Sequence, residues 1–181
     1  MRHLSRLSFL ALPLILSFLL LSAPASAHAA GGSGDLYFGY SRLGSNTFYA
    51  NGGGLNGWQA AASYSWMRFV GAEVDIAHYG IGAAASVPRT TTVLFGPRVT
   101  LGAAGVHIFV HGLVGGEHSA NSGGPTPISG GALAVAFGGG VDLRIAPFFA
   151  WRVAADYIAA PTQSPSGASH DRFTTGLVFR F

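Results

Sequence analysis

The sequence contains no cysteine and no lysine, and charged residues make up only 9% of its 181 positions. Without cysteine there is neither a disulfide nor a lipid-modified N-terminal thiol, so an exported form has to be held together by packing and hydrogen bonds. Every basic side chain other than histidine is arginine, which suits fixed, bidentate ion pairs better than a solubilising surface. Soluble domains carry roughly a quarter charged residues, so a water-facing surface of the usual kind is hard to build from this composition. After Gly34 no segment holds a 3.6-residue apolar period long enough for a helix. An aromatic content of 12% excludes disorder, and 27 glycines without a three-residue period exclude collagen.

The longest apolar stretch is Phe9 to Leu21, preceded by Arg2, His3 and Arg6 and followed by Ala25-Ser26-Ala27. A basic segment, a short apolar segment and an A-x-A site are the parts of a secretory signal peptide. The stretch falls short of the roughly 20 residues a spanning helix needs. Residues 1–27 are therefore expected to be a cleaved signal peptide, with cleavage after Ala27 or Ala29. Residues 28–34 are expected to form a flexible N-terminus, and 35–181 one β-barrel domain. Losing Arg2 and Arg6 leaves eight arginines against seven carboxylates, a balance that points to no nucleic-acid partner.

What recurs along the mature chain is alternation. Eight blocks are expected as strands, at 35–43, 57–66, 69–78, 90–101, 106–115, 132–144, 148–158 and 171–181. Short turns at 67–68, 102–105 and 145–147 alternate with long polar loops at 44–56, 79–89, 116–131 and 159–170. In the last block Phe173, Thr175, Leu177, Phe179 and Phe181 share one face, while Thr174, Gly176, Val178 and Arg180 share the other. The second block sets Trp58, Ala60, Ala62, Tyr64 and Trp66 on one face, aromatic at both ends and small between, the pattern of interfacial girdles around a hydrocarbon band. Pro97 removes a ladder donor from the fourth block, where a bulge or local irregularity is expected. In the first and fifth blocks both faces carry apolar residues, which leaves the phase open.

Eight strands joined by alternating short and long connections make an up-and-down antiparallel meander. In lipid every backbone polar group must be paired internally, so the sheet has to close, giving an all-β, eight-stranded transmembrane barrel. Such a barrel is filled by its own side chains. The alternation turns Glu73, Asp75, Arg98, Asp142, Arg144, Arg152, Asp156 and Arg180 inward, four acids and four arginines, together with His107 and His111. Mixed charges at mid-strand positions on many strands are expected to be interior ion pairs rather than an ion path or a catalytic carboxylate pair. His107 and His111 lie four apart with no third ligand evident, so interior hydrogen bonding is expected and no metal, cofactor or catalytic residue is assigned.

The signal peptide, the hairpin rhythm, Gly-Gly-Gly-Val-Asp-Leu at 138–143, Ala-Ala-Asp-Tyr at 154–157 and Gly-Leu-Val-Phe-Arg-Phe at 176–181 carry a resemblance. The chain resembles the small eight-stranded outer-membrane β-barrels, the outer-membrane protein A transmembrane domain and outer-membrane protein X group, over 35–181. The resemblance implies the outer membrane of a diderm bacterium, outer-membrane lipid as surroundings, periplasmic chaperones and the barrel-assembly machinery as partners, and Phe179 and Phe181 as the assembly signal. The chain ends at the barrel, so no cell-wall tethering is carried over. The expected role is non-enzymatic, structural or surface-interacting, with the four long loops facing outward toward an unidentified extracellular ligand. Two other functions compete with it. A lipid-modifying enzyme would use Glu117-His118-Ser119, although neighbours point apart and the His-x-Ser spacing of outer-membrane deacylases is missing. A narrow pore would use free volume beside Gly138 and Gly140.

Overall fold

The computed structural model describes residues 32–44, 54–83, 87, 89–120, 129–160 and 168–181. The expected signal peptide and its cleavage sites, and the middles of the four long loops, lie outside these residues. Eight antiparallel strands follow in order: β1 (Ser33–Leu43), β2 (Leu55–Ser65), β3 (Val70–Tyr79), β4 (Arg89–Ala103), β5 (Val106–Ala120), β6 (Ser129–Ala146), β7 (Phe149–Ala160) and β8 (Ala168–Arg180). Each pairs with its neighbour in sequence, and β1 pairs with β8 from Asp35↔Arg180 to Leu43↔Arg172, closing the ring.

Alternation sets the two faces. Outward side chains include Phe38, Phe95, Ile108, Phe137, Leu143, Trp151 and Phe179, all exposed, whereas inward ones such as Tyr37, Leu94, Phe109, Asp142, Arg152 and Val178 are buried. The phase that the sequence left open is settled on β1 by inward Tyr37 and Ser41, and on β5 by inward Phe109, His111 and Leu113. Inside, Leu43, Leu55, Ala77, Tyr79, Leu94, Leu113, Ala134, Ala136 and Ile158 form one apolar layer. It lies on the loop side of Asp75, His111 and Asp156, since Ala77, Leu113 and Ile158 follow them by two residues along their strands. A smaller apolar cluster, Tyr37, Ala61, Ala150 and Val178, lies toward the turn side.

The strands run further than the apolar alternation. β5 and β6 extend through Ala120 and from Ser129, taking both ends of the loop expected at 116–131. Backbone pairing continues wherever two strands stay adjacent, whereas outward apolar residues are needed only within hydrocarbon. β1 likewise begins at Ser33, so Ser33 and Gly34 belong to the barrel rather than to the flexible N-terminus. The turn expected at 102–105 shrinks to Ala104-Gly105, both at positive φ (52° and 88°), the type I′ geometry that matches hairpin twist. At Pro97 the β4–β5 ladder passes from Phe95↔Val114 to Arg98↔His111 without changing register. The irregularity is thus a gap in the ladder. A register shift occurs instead on β6, between Arg144 and Ala146.

Candidate functional site

The interior is where the chain concentrates its charge. β3 turns Glu73, Asp75, Ala77 and Tyr79 inward, β7 turns Arg152 and Asp156, and β8 turns Arg172 and Arg180. Arg152 holds Asp142 with two parallel hydrogen bonds, Nε to Oδ1 at 2.7 Å and a terminal nitrogen to Oδ2 at 2.9 Å. Arg180 bridges Asp35 at 2.8 Å and Asp142 at 3.2 Å, and approaches Nδ1 of His107 at 3.1 Å. Arg98 donates to Glu73 at 2.8 Å and lies 3.5 Å from Asp142. The bidentate fork is the geometry in which guanidinium outperforms ammonium, which fits the all-arginine composition.

Toward the loop side, Arg172 donates Nε to Asp156 and a terminal nitrogen to Asp75, both at 2.7 Å. The Gln59 amide also donates to Asp75. His111 joins the two halves, with Nε2 at 2.7 Å from Asp156 and Nδ1 at 3.3 Å from Glu73. Carboxylates only accept, so Nε2 donates to Asp156, while Nδ1 stands close to Glu73 without forming a hydrogen bond. Five carboxylates (Asp35, Glu73, Asp75, Asp142, Asp156) thus face four guanidiniums and the His111 ring in one connected network. Arg98 and Arg152 also flank Phe109, with guanidinium carbons 3.9 Å and 4.5 Å from the ring centroid. The ring's negative face offsets part of their mutual repulsion.

Seven of the eight residues expected to form interior ion pairs lie in this network. Arg144 does not: it is exposed at the turn-side mouth, beside the register shift, and donates to the Pro147 carbonyl at 3.2 Å. Sequence reasoning missed Arg172, Asp35 and Phe109. The signal for Arg172 was available, because it shares a face with Thr174, Val178 and Arg180; Asp35 likewise shares one with Tyr37 and Ser41. Gly138 does not open a lumen: a Cβ there would collide with the Asp156 carboxylate and the Ala155 carbonyl. The missing side chain makes room for the carboxylate that Arg172 and His111 hold.

Glu117, His118 and Ser119 lie on β5 rather than on a loop tip. Glu117 is buried inward, 3.8 Å from Nε2 of His170; His118 is exposed outward; the Ser119 hydroxyl is 2.9 Å from that of Thr90. Alternation therefore separates the three onto two faces. A depression of about 430 Å³ lies on the outer wall, where Arg42, Tyr157, Asp171 and Phe173 line it.

A closed ring of eight antiparallel strands, apolar outside and ion-paired inside, has the pattern of a transmembrane barrel. Solved structures with the same fold include Neisserial surface protein A (TM-score 0.63, 11% identity, covering 83% of this chain and 97% of that one). They also include Ail, the attachment invasion locus protein of Yersinia pestis (0.59, 18%, 83% and 99%). A third is the N-terminal β-barrel domain of OprF from Pseudomonas aeruginosa (0.59, 12%, 83% and 97%). All three are small eight-stranded outer-membrane barrels, and at these identities the similarity is one of fold. Ail also has a structure in complex with the heparin analogue sucrose octasulfate. No family model and no curated protein matches the sequence.

Proposed function

We propose that this chain is an integral outer-membrane barrel with a non-catalytic, structural or surface-interacting role, sealed against conduction by its own interior. The observation that carries the reading is the inversion of the usual soluble pattern. Phe137 and Phe38 are 69% and 64% exposed on the outer wall, while Asp75 and Asp142 are fully buried inside. Lipid is the surrounding in which that arrangement is favourable, since apolar side chains keep an apolar neighbourhood and buried charges keep their partners. The apolar layer above the ion pairs supports the sealed interior. Outer-membrane lipid, periplasmic chaperones and the barrel-assembly machinery are the proposed partners, and contact with other molecules is proposed for the loop-side end. The separation of Glu117 and Ser119 from His118 across the sheet counts against a nucleophile relay among them.

Purified protein reconstituted in a planar phospholipid bilayer tests the reading. Unheated samples should migrate differently from heated ones in detergent gels, and bilayers should show no conductance steps. Reproducible steps would overturn the sealed interior, and a heat-insensitive protein that stays soluble without detergent would overturn the membrane reading.

A further inference from the structure

The outer wall carries a polar rung across β2 to β6 that neither the seal nor the membrane band uses. Outward residues lie side by side across five strands: Trp58 on β2, His78 on β3, Thr91 on β4, His118 on β5 and Gly131 on β6, each in direct register with the next. His78 Nδ1 is 2.9 Å from the Thr91 hydroxyl, and the Trp58 and His78 rings are 6.4 Å apart. Arg89, two residues toward the loop side on β4, is exposed on the same face. Below the rung the wall is apolar: Val74 and Ile76 on β3, Val99, Phe95 and Val93 on β4, Ile108, Val110 and Val114 on β5. The eight residue steps from Leu101 to Val93 extend about 27 Å along the strand, which a tilt near 40° projects to about 21 Å, close to the height of a hydrocarbon band. The rung therefore lies where acyl chains give way to headgroups.

Its chemistry is one-sided. Arg89 and His118 offer N–H groups, and the His78–Thr91 pair keeps one free hydrogen whichever atom donates within it. If the hydroxyl donates, the ring's Nε2 carries its hydrogen; if the ring donates, the hydroxyl hydrogen is free. Carboxylates are absent from this side. Of the seven in the sequence, six turn inward and the seventh, Asp171, lies on β8, across the ring from β4. His78 and His118 are separated by two strand spacings, about 10 Å, with Thr91 between them.

Resting on the membrane reading above, we propose that Arg89, Thr91, His78 and His118 form a lipid-binding site that holds phosphate groups of an anionic lipid headgroup in the loop-side leaflet. Trp58 closes one flank of the rung at interface depth, where its amphipathic ring is favoured. The site faces the membrane laterally, so its ligand arrives by diffusion within the leaflet.

The test reconstitutes wild type and the Arg89→Gln/His118→Asn double variant in phosphatidylcholine vesicles containing lipid A, either phosphorylated or stripped of its phosphates. The barrel is then extracted in mild detergent and the co-purifying lipid quantified by mass spectrometry. Both substitutions alter exposed side chains, and the heat-shifted gel band confirms that each barrel has closed and inserted. Wild type should retain phosphorylated lipid about ten-fold more than the double variant, and about ten-fold more than the phosphate-free lipid, as expected for lost charge-assisted hydrogen bonds. Arg68→Gln, on the turn-side connection, should retain as much as wild type. Equal retention by closed, inserted wild type and double variant overturns the site while leaving the membrane reading intact. Failure of wild type to insert overturns both. Binding of a soluble sulfated oligosaccharide that the double variant loses, without lipid retention, would assign the rung to a soluble polyanion and overturn the lipid proposal.

Discussion

Arg172→Met tests whether the ionic layer holds the barrel together. Methionine keeps the apolar stem and removes the guanidinium, leaving Asp75 with the Gln59 amide and Asp156 with His111. Two hydrogen bonds at 2.7 Å are lost, both to carboxylates whose side chains are at most 1% exposed. Hydrogen bonds to charged groups contribute about 1.5–3 kcal/mol each, which sets a loss of about 3–6 kcal/mol. Breaking a buried pair by removing one partner costs about 3–5 kcal/mol by independent reckoning. The expected loss is therefore about 4 kcal/mol, read from urea unfolding in phospholipid vesicles by fluorescence of the three tryptophans. The triple variant Arg172→Met/Asp75→Asn/Asp156→Asn removes the stranded charges and should recover more than half of that loss. A single variant within about 1 kcal/mol of wild type would refute the assignment of Arg172 as the partner of both acids. So would a triple variant no better than the single.

Gly138→Val should destabilise by about 1–3 kcal/mol or more in the same assay, because the added atoms meet the Asp156 carboxylate and backbone. Gly130→Val is the control: nothing lies within 4 Å of its Cβ position, and a change under about 0.5 kcal/mol is expected. Equal effects at the two glycines would remove the packing argument. Deleting Phe181 removes the reciprocal 2.9 Å hydrogen bonds to Gly34 at the β1–β8 seam and the ring beside Phe179. The inserted fraction in cells, scored by the heat-shifted band and by protease protection, should fall sharply. Normal insertion would dissociate Phe181 from assembly.

How much of this was legible in the sequence depends on which force set each feature. Alternation in 171–181 gave the outward face of β8 directly, because side-chain period two holds wherever a strand is half in lipid. The same rule applied to Arg172 places it inside, yet the partner, Asp75, lies 97 positions earlier. The stagger of the closed ring brings them together, and no local pattern encodes that stagger. The ends of β5 and β6 were hidden for a different reason. Beyond the hydrocarbon band the outward positions become Gly, His and Ser, so the hydrophobic signal stops while the backbone ladder continues. Glu117 was misplaced on a loop for that reason. Arg144 was misassigned because it keeps the parity of Asp142, in register with inward Ala150, yet lies at the open turn-side mouth, and parity does not mark where the closed interior ends.

The ionic layer has a consequence for how the ring is completed. Arg172 belongs to the last strand, and its two acids belong to the third and the seventh. Until β8 docks, Asp75 and Asp156 lack that partner, and the Gln59 amide and the His111 ring alone do not replace its charge. Sealing the seam and giving these two acids their shared guanidinium are thereby a single event: the strand that closes the ring also carries the cation that ties its third and seventh members together.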